Sequence, residues 1–354
     1  MDNSYFILCK QKCTIKRFHI CTWDIENTSS IVEIGIEFKK DDMISTDIHF
    51  AFFAPFIKKN DDVVCLASSL LSDNDNCKFI FNDTINNFSE ISKDKRNGAV
   101  LDFTTRSKLI VLPITKNQTE DNGQIVTLEI HLPSNEEVKT NDDLSFYIRF
   151  LIKTSLMTLS RVKKNISHNS YTYDIKLNEK RNLPDNVHQI IRDEYSICQV
   201  EQCFCIHVVP NSFNIQFLQE NKLKSIRDLE VVSFKKYLSK KVPEINKIKE
   251  GQYIIVFNKD KSIETVNSYS FFSIFSKEII GINQIILAIC INIICGLLFT
   301  FSSLRITYFS DVFNWKKIPI EYWIVAGILF LVLLFFIKPY RFISWIFRKI
   351  KKIK

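Results

Sequence analysis

The chain has 354 residues, with 47 Lys and Arg against 39 Asp and Glu and a formal net charge of +8. The last 17 residues hold seven Lys and Arg and no acid, so the rest carries only +1, which argues against a uniformly basic nucleic-acid-binding domain. Seven glycines, three of them in apolar runs near the C-terminus, leave Gly35, Gly98, Gly123 and Gly251, from which no phosphate-binding glycine loop or dinucleotide fold can be built.

From the N-terminus, Met1-Asp2-Asn3-Ser4-Tyr5 lacks the basic and apolar regions of a secretory signal. The next 270 or so residues suffice for one large domain or two ordinary ones. Ile34, Ile36 and Phe38 alternate with Glu33 and Glu37, which predicts a half-buried strand. The same alternation recurs in Val126–Leu132, Leu144–Lys153 and Tyr171–Leu177. Shorter apolar runs at Ile48–Phe53, Lys78–Phe81, Leu109–Val111 and Tyr253–Phe257 predict further strands. Polar clusters at Ser72–Asn76, Lys93–Gly98 and Lys116–Gly123 read as turns. Helices are fewer: Asn186–Tyr195, and a stretch capped by Ser225 in which Ile226, Leu229, Val232 and Leu238 share a face. The expected class is α+β: a β-rich antiparallel region over 1–159, then a mixed α+β region over 160–277, with a single domain as the alternative.

Two apolar runs follow. Ile279–Leu304 is 26 residues without a formal charge, and Ile318–Ile337 contains only Glu321. As helices, each is expected to cross a hydrocarbon core of roughly 30 Å. Trp315, Tyr322, Trp323, Tyr340 and Trp345 flank the second as an aromatic belt. The basic tail 338–354 is expected on the cytoplasmic side, which returns the N-terminal region to the cytoplasm and predicts an inner-membrane protein. Within the tail, Arg341, Arg348, Lys349, Lys351 and Lys352 alternate with apolar residues, a pattern suited to an amphipathic helix on an anionic lipid surface. On the first run Gln284, Asn292, Gly296 and Ser303 fall near one helical line. Such a stripe suits packing against the second run, or self-association of several copies around a pore.

Chemical motifs are weak. Of ten cysteines two lie in the first apolar run, and the eight in the cytoplasmic region are expected as reduced thiols. Cys203, Cys205 and His207 share one side of a strand, the only candidate metal set, but C-x-C on a flat strand separates its sulfurs by about 6–7 Å. A tetrahedral zinc site needs an edge of about 3.8 Å, so buried free thiols are the better reading. His207 beside these cysteines is also the only close Cys/His pairing for nucleophilic catalysis. Asp73-Asn74-Asp75-Asn76-Cys77 begins like a calcium loop but fails at its fifth position and lacks the turn glycine. Basic clusters at Lys10–Arg17, Arg161–Lys164 and Lys235–Lys241 read as solvated faces. No cofactor is implied.

In plan, a soluble domain followed by two apolar runs and a basic tail resembles the two-spanning toxic effectors of bacterial anti-phage systems, of the retron-associated or cyclic-nucleotide-activated kind. The resemblance covers architecture alone and carries no residue over. It implies a membrane-anchored effector whose cytoplasmic domain senses a signal and whose spans associate to breach the membrane. The alternative is a non-enzymatic anchored scaffold that recruits a cytoplasmic protein or nucleoprotein partner. A membrane-tethered enzyme ranks third.

Overall fold

Alternating apolar residues make strands the dominant element. The computed structural model describes residues 4–25, 30–39, 47–58, 63–91, 98–119, 123–133, 144–154, 159–165, 167–192, 194–261, 268–279 and 287–296, with Trp323 and Gly327. The first strands are β1 (Ser4–Cys9), β2 (Thr14–Trp23), β3 (Ser30–Lys39), β4 (Asp47–Phe53) and β5 (Val63–Cys65). Two short helices, α1 (Ala67–Leu71) and α2 (Asn74–Phe81), precede β6 (Ile85–Glu90), β7 (Ala99–Phe103) and β8 (Leu109–Val111). Next come β9 (Lys116–Thr119), β10 (Ile125–His131), β11 (Ser145–Thr154), β12 (Arg161–Lys164) and β13 (His168–Leu177). Helix α3 (Asp185–Arg192) leads to β14 (Ser196–Ile197), β15 (Gln199–Val200), β16 (Gln202–Pro210), β17 (Phe213–Leu218) and β18 (Leu223–Asp228). Helix α4 (Val231–Leu238), β19 (Tyr253–Lys261) and β20 (Tyr269–Glu278) complete the series.

Among the described residues these strands form two sheets. One has nine strands in the order β17-β20-β13-β1-β4-β10-β9, with β12 on β13 and β14 on β1. The other has eleven, β18-β19-β16-β2-β3-β11-β8-β7-β6, with β15 on β2 and β5 on β11. Their facing sides supply one core, in which Phe18 and Phe150 of the larger sheet lie 6.4 and 5.9 Å from Phe52 of the smaller. Each such fully buried phenylalanine stabilises the fold by roughly 1.5–3 kcal/mol. A second core forms where α1, α2 and α4 pack on the outer side of the larger sheet, its strands β7 and β8 included. Helix α3 covers the outer side of the smaller through Val187 and Ile190.

The sheets are mixed, which corrects the expectation of antiparallel pairing. Strand β1 runs parallel to β13, β16 and β15 parallel to β2, and β11 parallel to β8. Alternation marks a strand and its faces but not its direction, and parallel neighbours need distant partners joined by crossovers. For the same reason strands on both sides of residue 160 interleave, with β16 and β19 beside β2. Residues Met1–Asn165 and Asn169–Lys277 accordingly cluster as one unit.

Two local readings also change. Lys78–Phe81 is the last turn of α2, not a strand. Asp73 caps that helix by accepting a hydrogen bond from the Asp75 N–H at 2.9 Å, and left-handed Asn82 (φ 51°) closes it. The expected Ser225–Leu238 helix starts only at Val231, because Leu223–Asp228 pairs along β19. Its buried residues are Val231, Phe234, Tyr237 and Leu238, while Ile226 and Val232 are exposed.

The second unit comprises Ile166–His168 and Glu278–Lys354. In it the Ile279 N–H donates to the Ser167 carbonyl at 2.9 Å, and residues 287–296 are helical. Ten helical residues rise about 15 Å, half of a hydrocarbon core. Among the described residues no helix is long and apolar enough to cross a membrane. The fold is therefore corrected from an α+β region with a transmembrane hairpin to a strand-dominated, two-sheet protein. The inner-membrane placement is corrected with it, as are the membrane and transmembrane assignments. The expectation rested on hydropathy, which counts apolar residues without showing how they are built into a fold. Most of 279–304 and 318–337, and all of 338–354, lies outside the described residues.

Candidate functional site

The outer side of the larger sheet is not fully covered. At the edge of the helical layer lies a pocket of about 360 Å³, within the size range of small-molecule sites. Its floor comes from period-two positions on three neighbouring strands. Strand β2 presents Arg17, His19, Cys21 and Trp23, β16 presents Gln202, Phe204, Ile206 and Val208, and β19 presents Ile255, Phe257 and Lys259. Lys224, Ser225 and Arg227 line it from β18, Phe79–Asn82 from the end of α2, Arg106 from the turn after β7, and Arg149 from β11.

Two β-bulges help build it. In β2 the register shifts between Ile15, opposite Phe38, and Arg17, opposite Glu37, leaving Lys16 as the extra residue. Ile15 thereby joins the core between the sheets while Arg17, two positions on, faces the pocket. The extra residue of a bulge re-aims the side chains that follow it. A similar shift in β18, between Leu223 and Ser225, makes Lys224 the extra residue there.

Cations dominate the lining. Arg17, Arg106, Arg149, Lys224, Arg227 and Lys259 contribute, and among the described residues no carboxylate lines the pocket. The acids lie beneath. Glu37 is 2% exposed and takes Arg106 Nη2 at 2.6 Å, with Arg17 Nε at 3.7 Å and Lys16 Nζ at 3.8 Å. Glu33 is fully buried and accepts from Arg149 Nε at 2.8 Å. Burial pushes the Glu33 carboxyl up, and the Arg149 charge pulls it back. Burial disfavours the Arg149 cation, but Tyr147, Tyr237, Glu33 and Cys21 hold it protonated. Lys224 and Lys259 differ: among the described residues neither has an acidic partner. Their ammonium groups sit over aromatic faces, Lys224 Nζ 5.0 Å from the Phe257 ring centre and Lys259 Nζ 5.5 Å from that of Phe204. Burial lowers the Lys259 pKa, and the like charges of Lys224, Arg17 and Lys261 lower it further.

The aromatic rings form a row across the strands. Phe204 stacks on Phe257 at 5.8 Å and 25°, and His19 lies 4.8 Å from Phe204. Register explains this, since Phe204 pairs with His19 on one side and with Lys259 on the other. Beside the row, Gly35 pairs with both His19 and Arg149. A Cβ at Gly35 would stand 2.3 Å from Tyr147 Oη and 3.1 Å from both Arg149 Nη1 and His19 Nδ1. Tyr147 Oη in turn accepts from Arg149 Nη1 at 2.9 Å and lies 3.4 Å from His19 Nδ1. The missing side chain at Gly35 is what lets these three groups meet.

This arrangement suits binding more than catalysis. A thiolate–imidazolium pair requires a lowered thiol and a raised imidazole. Here burial pushes the Cys21 thiol up to about 11. Burial, and then the charges of Arg149, Arg106 and Arg17, push His19 well down, so its imidazole is neutral.

The residues singled out from sequence fall mostly elsewhere. Cys203, Cys205 and His207 face the core between the sheets and are fully buried. Cys205 Sγ lies 3.5 Å from His207 Nε2, and Thr22 Oγ1 lies 2.8 Å from Nδ1. Among the described residues no three His, Cys, Asp or Glu side chains are grouped to hold a metal. Asn292 and Gly296 are exposed on the helical stretch 287–296. Gln284, Ser303, Arg341, Arg348, Lys349, Lys351 and Lys352 lie outside the described residues. Of the basic clusters only Lys10–Arg17 reaches the pocket, through Arg17. Lys236 instead bridges Asp73 at 2.7 Å and Asp75 at 3.0 Å on the surface.

Sequence reasoning missed Arg106, Lys224, Phe204, Phe257 and Lys259. A signal existed: cations and aromatics interleave at period two, as in Arg17-x-His19-x-Cys21-x-Trp23 and Phe257-x-Lys259. The sequence matches no protein-family model, and no curated protein matches it at a significant level.

Proposed function

We propose that this chain is a non-enzymatic ligand-binding protein whose larger sheet captures an anionic small molecule. The pocket supports the sensing role expected from the sequence. One observation carries the reading: among the described residues six cationic side chains and no carboxylate line the pocket, and the ammonium groups of Lys224 and Lys259 sit over aromatic faces with no acidic partner. Like charges held together in a half-buried site repel one another, and a bound anion relieves that repulsion. The neutral His19 and the raised Cys21 thiol favour recognition over acid–base or nucleophilic chemistry.

The test is a thermal-shift titration of the full chain with inorganic tripolyphosphate at low and moderate salt. An anion present at 100 times its Kd stabilises the folded state by about 2.7 kcal/mol. The expected result is a rise in Tm that shrinks with salt and is lost in the Lys224→Ala/Lys259→Ala double variant. No rise in the native protein, or an equal rise in the double variant, refutes the assignment.

A further inference from the structure

Accepting the reading of the pocket as an anion site, we infer that its ligand is a nucleoside phosphate, with the base on the Phe204–Phe257 strip and the phosphate at Lys224, Lys259 and Arg17. Cations alone would serve any polyanion. The pocket adds a flat aromatic surface that a simple polyanion leaves unused. Phe204 and Phe257 sit on adjacent strands, their ring centres 5.8 Å apart and their planes 25° from parallel, and both line the pocket floor, Phe204 largely buried with the Lys259 ammonium above it. Nucleobases stack on such platforms irrespective of sequence, because every base has a π-face.

The uncharged polar groups fit as well. His19, held neutral, together with Gln202, Asn82 and Ser225, offers donors and acceptors to the edge of a base. None brings a fixed charge against a neutral ring. The volume of about 360 Å³ suits one small ligand rather than a polymer chain.

The lysines connect the two halves of the ligand. In the described state their ammonium groups rest above the rings that the base would occupy, 5.0 and 5.5 Å from the ring centres. A cation–π contact at a partly exposed site is weaker than a charge-assisted hydrogen bond to phosphate. A phosphate therefore draws the ammonium groups off the aromatic faces and frees the platform for the base. On this account Lys224 and Lys259 cover the empty platform and clamp the filled one.

The experiment is isothermal titration of the full chain with ATP, GTP, CTP and UTP, with adenosine, and with inorganic tripolyphosphate. At least one nucleotide is expected to bind ten-fold or more tightly than both tripolyphosphate and adenosine. Phe204→Leu or Phe257→Leu should weaken that nucleotide by about 5- to 150-fold, the range expected for one lost stacking contact. Tripolyphosphate binding should stay unchanged in those variants, which also shows that they fold. If tripolyphosphate binds as tightly as every nucleotide, or the leucine variants weaken both ligands equally, the nucleotide assignment fails while the anion site stands. Adenosine binding as tightly as ATP removes the phosphate half of the assignment. If no ligand binds, both the nucleotide assignment and the anion site fall.

Discussion

Replacing Gly35 by alanine tests how the floor of the pocket is assembled. Gly35 sits in the middle of β3, so backbone terms favour the change by about 0.5–1 kcal/mol, since glycine loses more conformational freedom on folding. Packing opposes it. The new methyl would lie 2.3 Å from Tyr147 Oη, more than 1 Å inside ordinary contact. Tyr147 must then swing away, which breaks its 2.9 Å bond from Arg149 Nη1 and its 3.4 Å approach to His19. A buried hydrogen bond to a charged partner contributes about 1.5–3 kcal/mol, and overpacking a core adds about 1–3 kcal/mol. Set against the backbone gain, the net loss is about 1.5–5.5 kcal/mol, read as a lower midpoint in urea at unchanged m-value. The decisive comparison is Gly35→Ala made in a Tyr147→Phe background, where the clashing hydroxyl is gone. There the alanine should cost less than about 1 kcal/mol, a coupling large enough for a double-mutant cycle to resolve. An equal cost in both backgrounds, or no cost in the native protein, would refute the account of how Gly35 shapes the site.

Removing Arg106 by Arg106→Ala strips Glu37 of its 2.6 Å partner and should destabilise by about 2–3 kcal/mol, because Arg17 and Lys16 remain only at 3.7 and 3.8 Å. Arg106→Lys should recover little of this, since a lysine cannot present the planar fork that also lies over the Phe81 and Phe103 rings. Chemical denaturation checks both variants. Stability should also fall with acid. Burial holds His207 down at about 4 against an ordinary 6.5, so between these values the unfolded chain binds the proton and the folded one does not. Its contribution is whole above about pH 6.5 and is lost as pH falls through about 4, at most about 3 kcal/mol. His19 shifts in the same direction, so His207→Phe should flatten the pH dependence of stability between pH 7 and 4 only in part. A His207→Phe profile identical to the native one would show that this histidine is not buried neutral. In the ligand experiments, Trp23, which lines the pocket and stacks on Phe234 at 4.2 Å, should report binding by a fluorescence change that disappears in Trp23→Phe.

Strands were legible in the sequence wherever alternation was strong. Ile34, Ile36 and Phe38 of β3, and Phe146, Ile148, Phe150 and Ile152 of β11, face the core between the sheets. Their polar counterparts were legible only by position. Glu33, Glu37 and Arg149 alternate as solvent-facing residues should, yet all three are buried, because a layer of short helices covers that side. Local alternation cannot reveal a third layer. Nor could it reveal the pocket, whose residues come from β2, β16 and β19 and meet through parallel pairing between β2 and β16. The bulge at Lys16 conceals the site further: without it, Ile15 and Arg17 would share a face and Arg17 would read as a core-side intrusion. The helix over Ser225–Leu238 failed for a related reason. Ile226 and Leu229 match a helical face by spacing, but sheet pairing along β19 took the backbone of Leu223–Asp228 first.

The place of β2 in the larger sheet also bears on the order in which the molecule is made. One edge of β2 pairs with β3, available as soon as the first 39 residues have left the ribosome, while its other edge waits for β16, some 180 residues later in the chain. Throughout that interval an apolar strand end is open to the wrong neighbour. The edge belongs to the strand carrying Arg17 and His19, and charge near an open edge discourages pairing between chains. The cations that serve the finished pocket would thus also guard its first strand during synthesis. The pocket itself closes only after Lys259 is in place, so ligand capture reports a chain whose two halves have already found each other.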